Sequence, residues 1–171
     1  RKAWERLKRL SGGRKTPVFK ATVFSIILAG LLNFIGTSLV RTEIDFIEGV
    51  KSGITVIFTL FISVYISSFI NLITLENQTK KNVSLSETFN FTALLYSLSF
   101  LIYALEPMLS IVFFYKAFLL YTFYIAWIGT ECFIEIPTEH RAVFTSVCGI
   151  SVLLTPIVIN KILTLLMPGL I

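Results

Sequence analysis

Ser52-Gly-Ile-Thr-Val-Ile-Phe-Thr-Leu-Phe-Ile-Ser-Val-Tyr-Ile-Ser-Ser-Phe-Ile-Asn-Leu-Ile73 carries no charged side chain. It is also as long as the run of about 20 apolar residues that an α-helix needs to cross the hydrocarbon of a bilayer. Its polar residues are not scattered. Ser52, Thr55, Thr59, Ser63, Ser67 and Asn71, with Thr74 just beyond, recur at steps of three or four and fall on one helical face. Ile57, Phe58, Leu60, Phe61, Val64 and Phe69 are expected on the opposite, lipid-facing side. Lipid has no hydrogen-bond partner to give a hydroxyl or an amide, so the polar stripe is expected to face neighbouring helices or a water-filled path. Helix packing and a polar conduit both account for it. Water beside Thr59, Ser63 and Ser67 would favour the conduit, and dry helix contacts would favour packing.

Working outward, four more segments share this character. They cover residues 17–40, 88–105, 108–129 and 142–166, which with 52–73 makes five expected spans; four is the alternative count. Pro17 suits a first helical turn. Glu106-Pro107 separates the third span from the fourth, because the residue before a proline is pushed out of the helical region. Read as one segment, 88–128 would run to about 60 Å, twice the hydrocarbon thickness, so a hairpin at that point fits better. The expected fold is an all-α, polytopic membrane bundle of five transmembrane helices. The run after Lys20 is longer than the roughly 7–15 residues of a signal-peptide core and reads as a retained span.

The composition agrees. Of 171 residues, 55% are hydrophobic and 15% charged, and mean hydropathy is +0.82. That excludes a disordered chain, a disulfide-stapled secreted scaffold and a soluble enzyme. The net charge of +5 is unevenly placed, with eight of the fifteen basic residues in the first twenty positions against one acid, Glu5. Residues 1–16 therefore read as a basic cytoplasmic tail near anionic headgroups, and Trp4, Leu7 and Leu10 would give it one apolar side, as a surface helix has. The tail lacks the aromatic interleaving of a nucleic-acid surface, and none is expected as a partner. Counting Lys and Arg in the short loops puts the tail, Lys80, Lys81 and Arg141 inside and Arg41 and Lys51 outside, with Lys161 near the outer end as an interfacial anchor, so the N-terminus is expected in the cytoplasm and the C-terminus outside.

Weaker stripes of small and hydroxyl residues run along the other spans. They are Thr22, Ser25, Ala29, Asn33 and Gly36 in the first, Thr92, Tyr96, Ser99 and Tyr103 in the third, and Gly149, Pro156 and Asn160 in the fifth, with Pro156 an expected kink. Lys116 is the one charge expected deep in the membrane. It must snorkel to the headgroups or pair with an acid such as Glu48 or Glu106, a ligand or a partner subunit. Tyr121, Tyr124 and Trp127 read as an interfacial aromatic belt.

Catalytic chemistry finds little support. There is one histidine, with no H-E-x-x-H, phosphate-binding glycine loop, G-x-S-x-G or pair of intramembrane carboxylates. Glu131, Cys132, Glu135, Glu139 and His140 could each ligate a metal. Pro137 interrupts their helical face, however, and the spacing matches no metal site, so a solvated loop is expected there. Cys132 and Cys148 form no disulfide framework. No catalytic residue, metal or cofactor is assigned.

Tyr121-Thr-Phe-Tyr-Ile-Ala-Trp-Ile-Gly-Thr130, Ile136-Pro-Thr-Glu-His-Arg141 and Val152-Leu-Leu-Thr-Pro-Ile-Val-Ile159 resemble the Yip domain family of five-span membrane proteins. The similarity is specific over 121–160 and generic over the rest of 15–168. Eukaryotic members are associated with vesicle traffic and small-GTPase binding and carry an Asp-Leu-Trp/Tyr-Gly-Pro stretch before the first span. This chain lacks that stretch, so GTPase binding does not transfer, and it is more similar to the bacterial branch. The resemblance implies a non-enzymatic protein of a bacterial inner membrane.

Two functions remain. One is a scaffold or accessory subunit of a membrane complex, with integral membrane proteins and lipids as partners and a homo-oligomer compatible with it. The other is a transporter or lipid-translocating protein using the polar face of the second span and Lys116.

Overall fold

The computed structural model describes residues 17–40, 46–79, 83–108, 119–134, 136 and 138–166. Among these every secondary-structure element is a helix. The helices are α1 (Pro17–Val40), α2 (Phe46–Thr79), α3 (Leu85–Leu95), α4 (Ser97–Leu105), α5 (Tyr121–Gly129) and α6 (Thr138–Leu166). A π-helical turn, Thr130–Ile134, extends α5. The basic tail and Lys116 lie outside the described residues.

Helices α1, α2 and α6 are each long and apolar enough to cross a membrane, and α3 with α4 meets the same test as one span bent by 43°. By length and composition, therefore, the described residues hold three spans, or four with the bent pair. The expected fourth span, 108–129, is described only from residue 119.

Helix α2 is the axis of the bundle. It packs along α1 on one flank and α6 on another, with α3 against it and α4 against α1. Because neighbours surround it so widely, Leu60 and Val64 are buried, not turned to lipid as their place opposite the stripe had suggested; Phe58, Phe61 and Phe69 are exposed. The helix also starts and ends outside the expected bounds of 52–73, taking in residues expected to be connections: Phe46 to Lys51 before it and Thr74 to Thr79 after it.

Glycines set the crossing of α1 and α2. A Cβ on Gly53 would lie 2.8 Å from the carbonyl oxygen of Gly30 and 3.0 Å from Cβ of Phe34. One on Gly30 would collide with Ile57 and one on Gly49 with Ser38. The two backbones meet there with no room for side chains, the close approach that small residues give membrane helices. Asn33 of α1 crosses the same region, donating from Nδ2 to the carbonyl of Tyr103 at 3.1 Å and accepting from Ser52 Oγ at 2.6 Å.

Helix α3 begins with Ser84 as its cap, whose Oγ accepts the backbone N–H of Glu87 at 3.3 Å. It is buried on nearly all sides, with Thr88, Phe89, Asn90, Phe91, Thr92, Ala93 and Leu95 enclosed. Phe91 stacks near Phe144 of α6 with ring centroids 6.1 Å apart.

Candidate functional site

The break between α3 and α4 falls at Tyr96, where ψ of −9° departs from the helical value of about −42°. Its backbone bonds persist, from Tyr96 N–H to Thr92 O at 3.0 Å and from Phe100 N–H to Tyr96 O at 2.9 Å, so the chain bends without parting. The Tyr96 side chain is fully enclosed, and its hydroxyl reaches into the face of α2.

A polar knot gathers around that hydroxyl. Tyr96 Oη donates to the carbonyl of Ser63 at 3.3 Å and lies 2.8 Å from Ser67 Oγ. Ser67 Oγ in turn reaches the Ser151 carbonyl and Thr155 Oγ1, each at 3.2 Å. One turn further along α2, Asn71 Nδ2 donates to Thr92 Oγ1 at 3.0 Å, and its Oδ1 accepts from Ser151 Oγ at 3.3 Å. Ser67, Asn71, Thr92 and Tyr96 have no exposed surface, and Ser151 and Thr155 are buried with them. Six side chains from α2, from the α3–α4 bend and from α6 thus satisfy one another away from solvent. Such bonds average about 0.6 kcal/mol each in membrane proteins, with the best near 1.7.

The remaining stripe residues divide. Ser52 is half-buried and belongs to the α1 crossing. Thr55 turns back on its own helix, donating to the Lys51 carbonyl at 2.8 Å. Thr59 and Ser63 are buried, yet neither hydroxyl has a hydrogen-bond partner among the described residues. The stripe therefore combines satisfied bonds at one end with two enclosed, unsatisfied hydroxyls in the middle.

Sequence reasoning missed the partners on α6. Gly149 was expected in a packing stripe, and a Cβ there would run into the ring of Phe123. Asn160, expected in the same stripe, is exposed. Ser151 and Thr155, which hold the knot, were passed over. Their spacing of four residues was the available signal.

The connection after α5 is less solvated than expected. Thr130 and Ile136 are buried, tied by a bond of 3.2 Å from the Ile136 N–H to the Thr130 carbonyl. Arg141 sits 3.5 Å from Glu131 and lies over the Trp127 ring at 5.5 Å from its centroid, a cation–π contact. Among the described residues, no three His, Cys, Asp or Glu side chains gather as a metal site would require. Tyr121, Tyr124 and Trp127 are exposed along α5.

No curated protein and no solved structure matches the chain in comparison. The family model of the Yip1 domain does, over residues 1–168. With a match over nearly its whole length, and with apolar helices long enough to cross a bilayer more than once, this chain belongs to the Yip1 domain family.

Proposed function

We propose that this protein is a non-enzymatic scaffold or accessory subunit that holds other integral membrane proteins together. In this reading it crosses a bacterial inner membrane five times, with its N-terminus in the cytoplasm and its C-terminus outside. The observation that carries the reading is the knot of Ser67, Asn71, Thr92, Tyr96, Ser151 and Thr155. Polar groups that bond to each other between helices are spent on fixing shape, and the apolar outer faces are left for lipids and protein partners. Purification in mild detergent is the test, with partners named by mass spectrometry. A membrane protein recovered in fixed ratio to this chain, and retained when Thr59→Val is combined with Ser63→Ala, is the expected result.

The second reading, transport or lipid translocation, is favoured by the enclosed hydroxyls of Thr59 and Ser63 beside a bent span. Broken helices buried in protein are a common way for transporters to line a path. In proteoliposomes the double variant should leave solute and lipid flux at the level of protein-free vesicles, as should the unsubstituted chain. Flux present in the unsubstituted chain and lost in the variant, with the fold intact, would move the assignment to transport.

Orientation is tested separately. Cysteines introduced at Lys8 and at Gly169, in a chain whose Cys132 and Cys148 are replaced by serine and alanine, should react with a membrane-impermeant maleimide from opposite sides. Reaction of both from one side would rule out an odd number of spans.

A further inference from the structure

Helix α4 is an arm with one fixed end. The chain bends by 43° between α3 and α4, and Tyr96 is pinned at the bend through its hydroxyl, to the Ser63 carbonyl at 3.3 Å and to Ser67 at 2.8 Å. Beyond that pivot α4 packs on α1 and far less on α2 or α6. Asn33 of α1 grips it further along, donating from Nδ2 to the Tyr103 carbonyl at 3.1 Å.

Between the arm and α6 lies a cleft of about 80 Å³. Ser99 and Ile102 line it from α4, and Val152, Leu153 and Pro156 from α6. The lining picks out no ligand, since its hydroxyls donate as readily as they accept. What the two walls do hold is an unmade hydrogen bond. Ser99 Oγ is enclosed without a hydrogen-bond partner among the described residues, which leaves it a proton to donate. On the opposite wall, Pro156 has no N–H to give to the carbonyl of Val152, four residues before it in α6. A donor and an acceptor on facing walls are each short of a partner, and enclosed groups in that state carry a desolvation cost that pairing recovers. Closing the gap would also restore dispersion contacts that its walls lack.

We propose that α4 swings about Tyr96 between two positions. In the open one, which the structure shows, Asn33 holds the arm on α1 and the cleft separates it from α6. In the closed one the arm leans on α6, and Ser99 donates to the Val152 carbonyl. An arm between two competing hydrogen bonds is a bistable element, and it gives the bundle two outer surfaces to show a membrane partner. The swing goes beyond the scaffold reading and does not need it, because it belongs to the chain alone.

Nitroxide labels on cysteines introduced at Leu101 and Leu154, which are 56% and 54% exposed on α4 and α6, report the swing. The full chain is placed in nanodiscs without a partner, with Cys132 and Cys148 replaced as above. Pulsed electron spin resonance should resolve a longer and a shorter separation. Ser99→Ala removes the bond of the closed position and should lower the ratio of short to long about threefold, the average worth of one such bond in a membrane. Asn33→Ala removes the tether of the open position and should raise the ratio by a similar factor. Leu153→Trp fills the cleft and should leave only the longer separation, which carries the test if either other variant fails to fold. A single separation shared by all four proteins would overturn the proposal. So would a short population that survives Leu153→Trp or is untouched by Ser99→Ala, or a shift of the same sign in Ser99→Ala and Asn33→Ala.

Discussion

Replacing Gly53 by leucine should be the most damaging single change in the protein, costing about 3 kcal/mol or more, at the top of the range for overpacking a core. The first atom of the new side chain has nowhere to go. At 2.8 Å from the Gly30 carbonyl oxygen it meets backbone, which cannot rotate away as a side chain can. Helix α1 would have to move off α2, and the bonds that Asn33 makes to Ser52 and Tyr103 would go with it. Gly53→Ala should already cost about 1–2 kcal/mol for the same reason. Reversible unfolding in mixed micelles measures both. A Gly53→Ala protein as stable as the parent would show that the helices do not approach this closely.

Asn71→Ala should have the next largest effect, about 2–3 kcal/mol. Asn71 on α2 bonds to both α3 and α6, through Thr92 and Ser151. Its removal deletes two interhelical bonds and leaves a void at a site with no exposed surface, so a bonding loss and a cavity loss add. Thr74→Val is the control. That hydroxyl bonds to Ile70 within its own helix, and its loss should stay within about 0.5 kcal/mol. Equal unfolding energies for the two variants would mean the knot fixes nothing.

What could be read in advance follows from where side chains alone decide. Helix α4 ends at Leu105, beside the expected break at Glu106-Pro107, but not for the expected reason: Glu106 keeps helical dihedrals of φ −49° and ψ −46° although a following proline disfavours them, and the chain continues as a turn closed by the Met108 N–H on the Leu105 carbonyl at 3.0 Å. The start of α3 was also available: Ser84-Leu-Ser-Glu87 has the spacing of a capping box, although the expected span began at Thr88. The break at Tyr96 was not legible. Neither glycine nor proline stands there, and the tyrosine's role depends on Ser63, Ser67 and Thr155, up to 59 positions away in sequence. The burial of Leu60 and Val64 was hidden for a similar reason. Periodicity reports that a helix has two faces, but not how many neighbours will cover the apolar one.

The 34 residues of α2 amount to a rod about 51 Å long, against roughly 30 Å of hydrocarbon. Lean alone cannot absorb the excess, since transmembrane helices incline by at most about 40°. Its ends must therefore stand clear of the oil. The uncharged stretch between Lys51 and Glu76, about 36 Å long, would match that thickness at an inclination near 30°. These two charges act as stops on a gauge, and the protein should settle best in bilayers whose depth matches the interval between them.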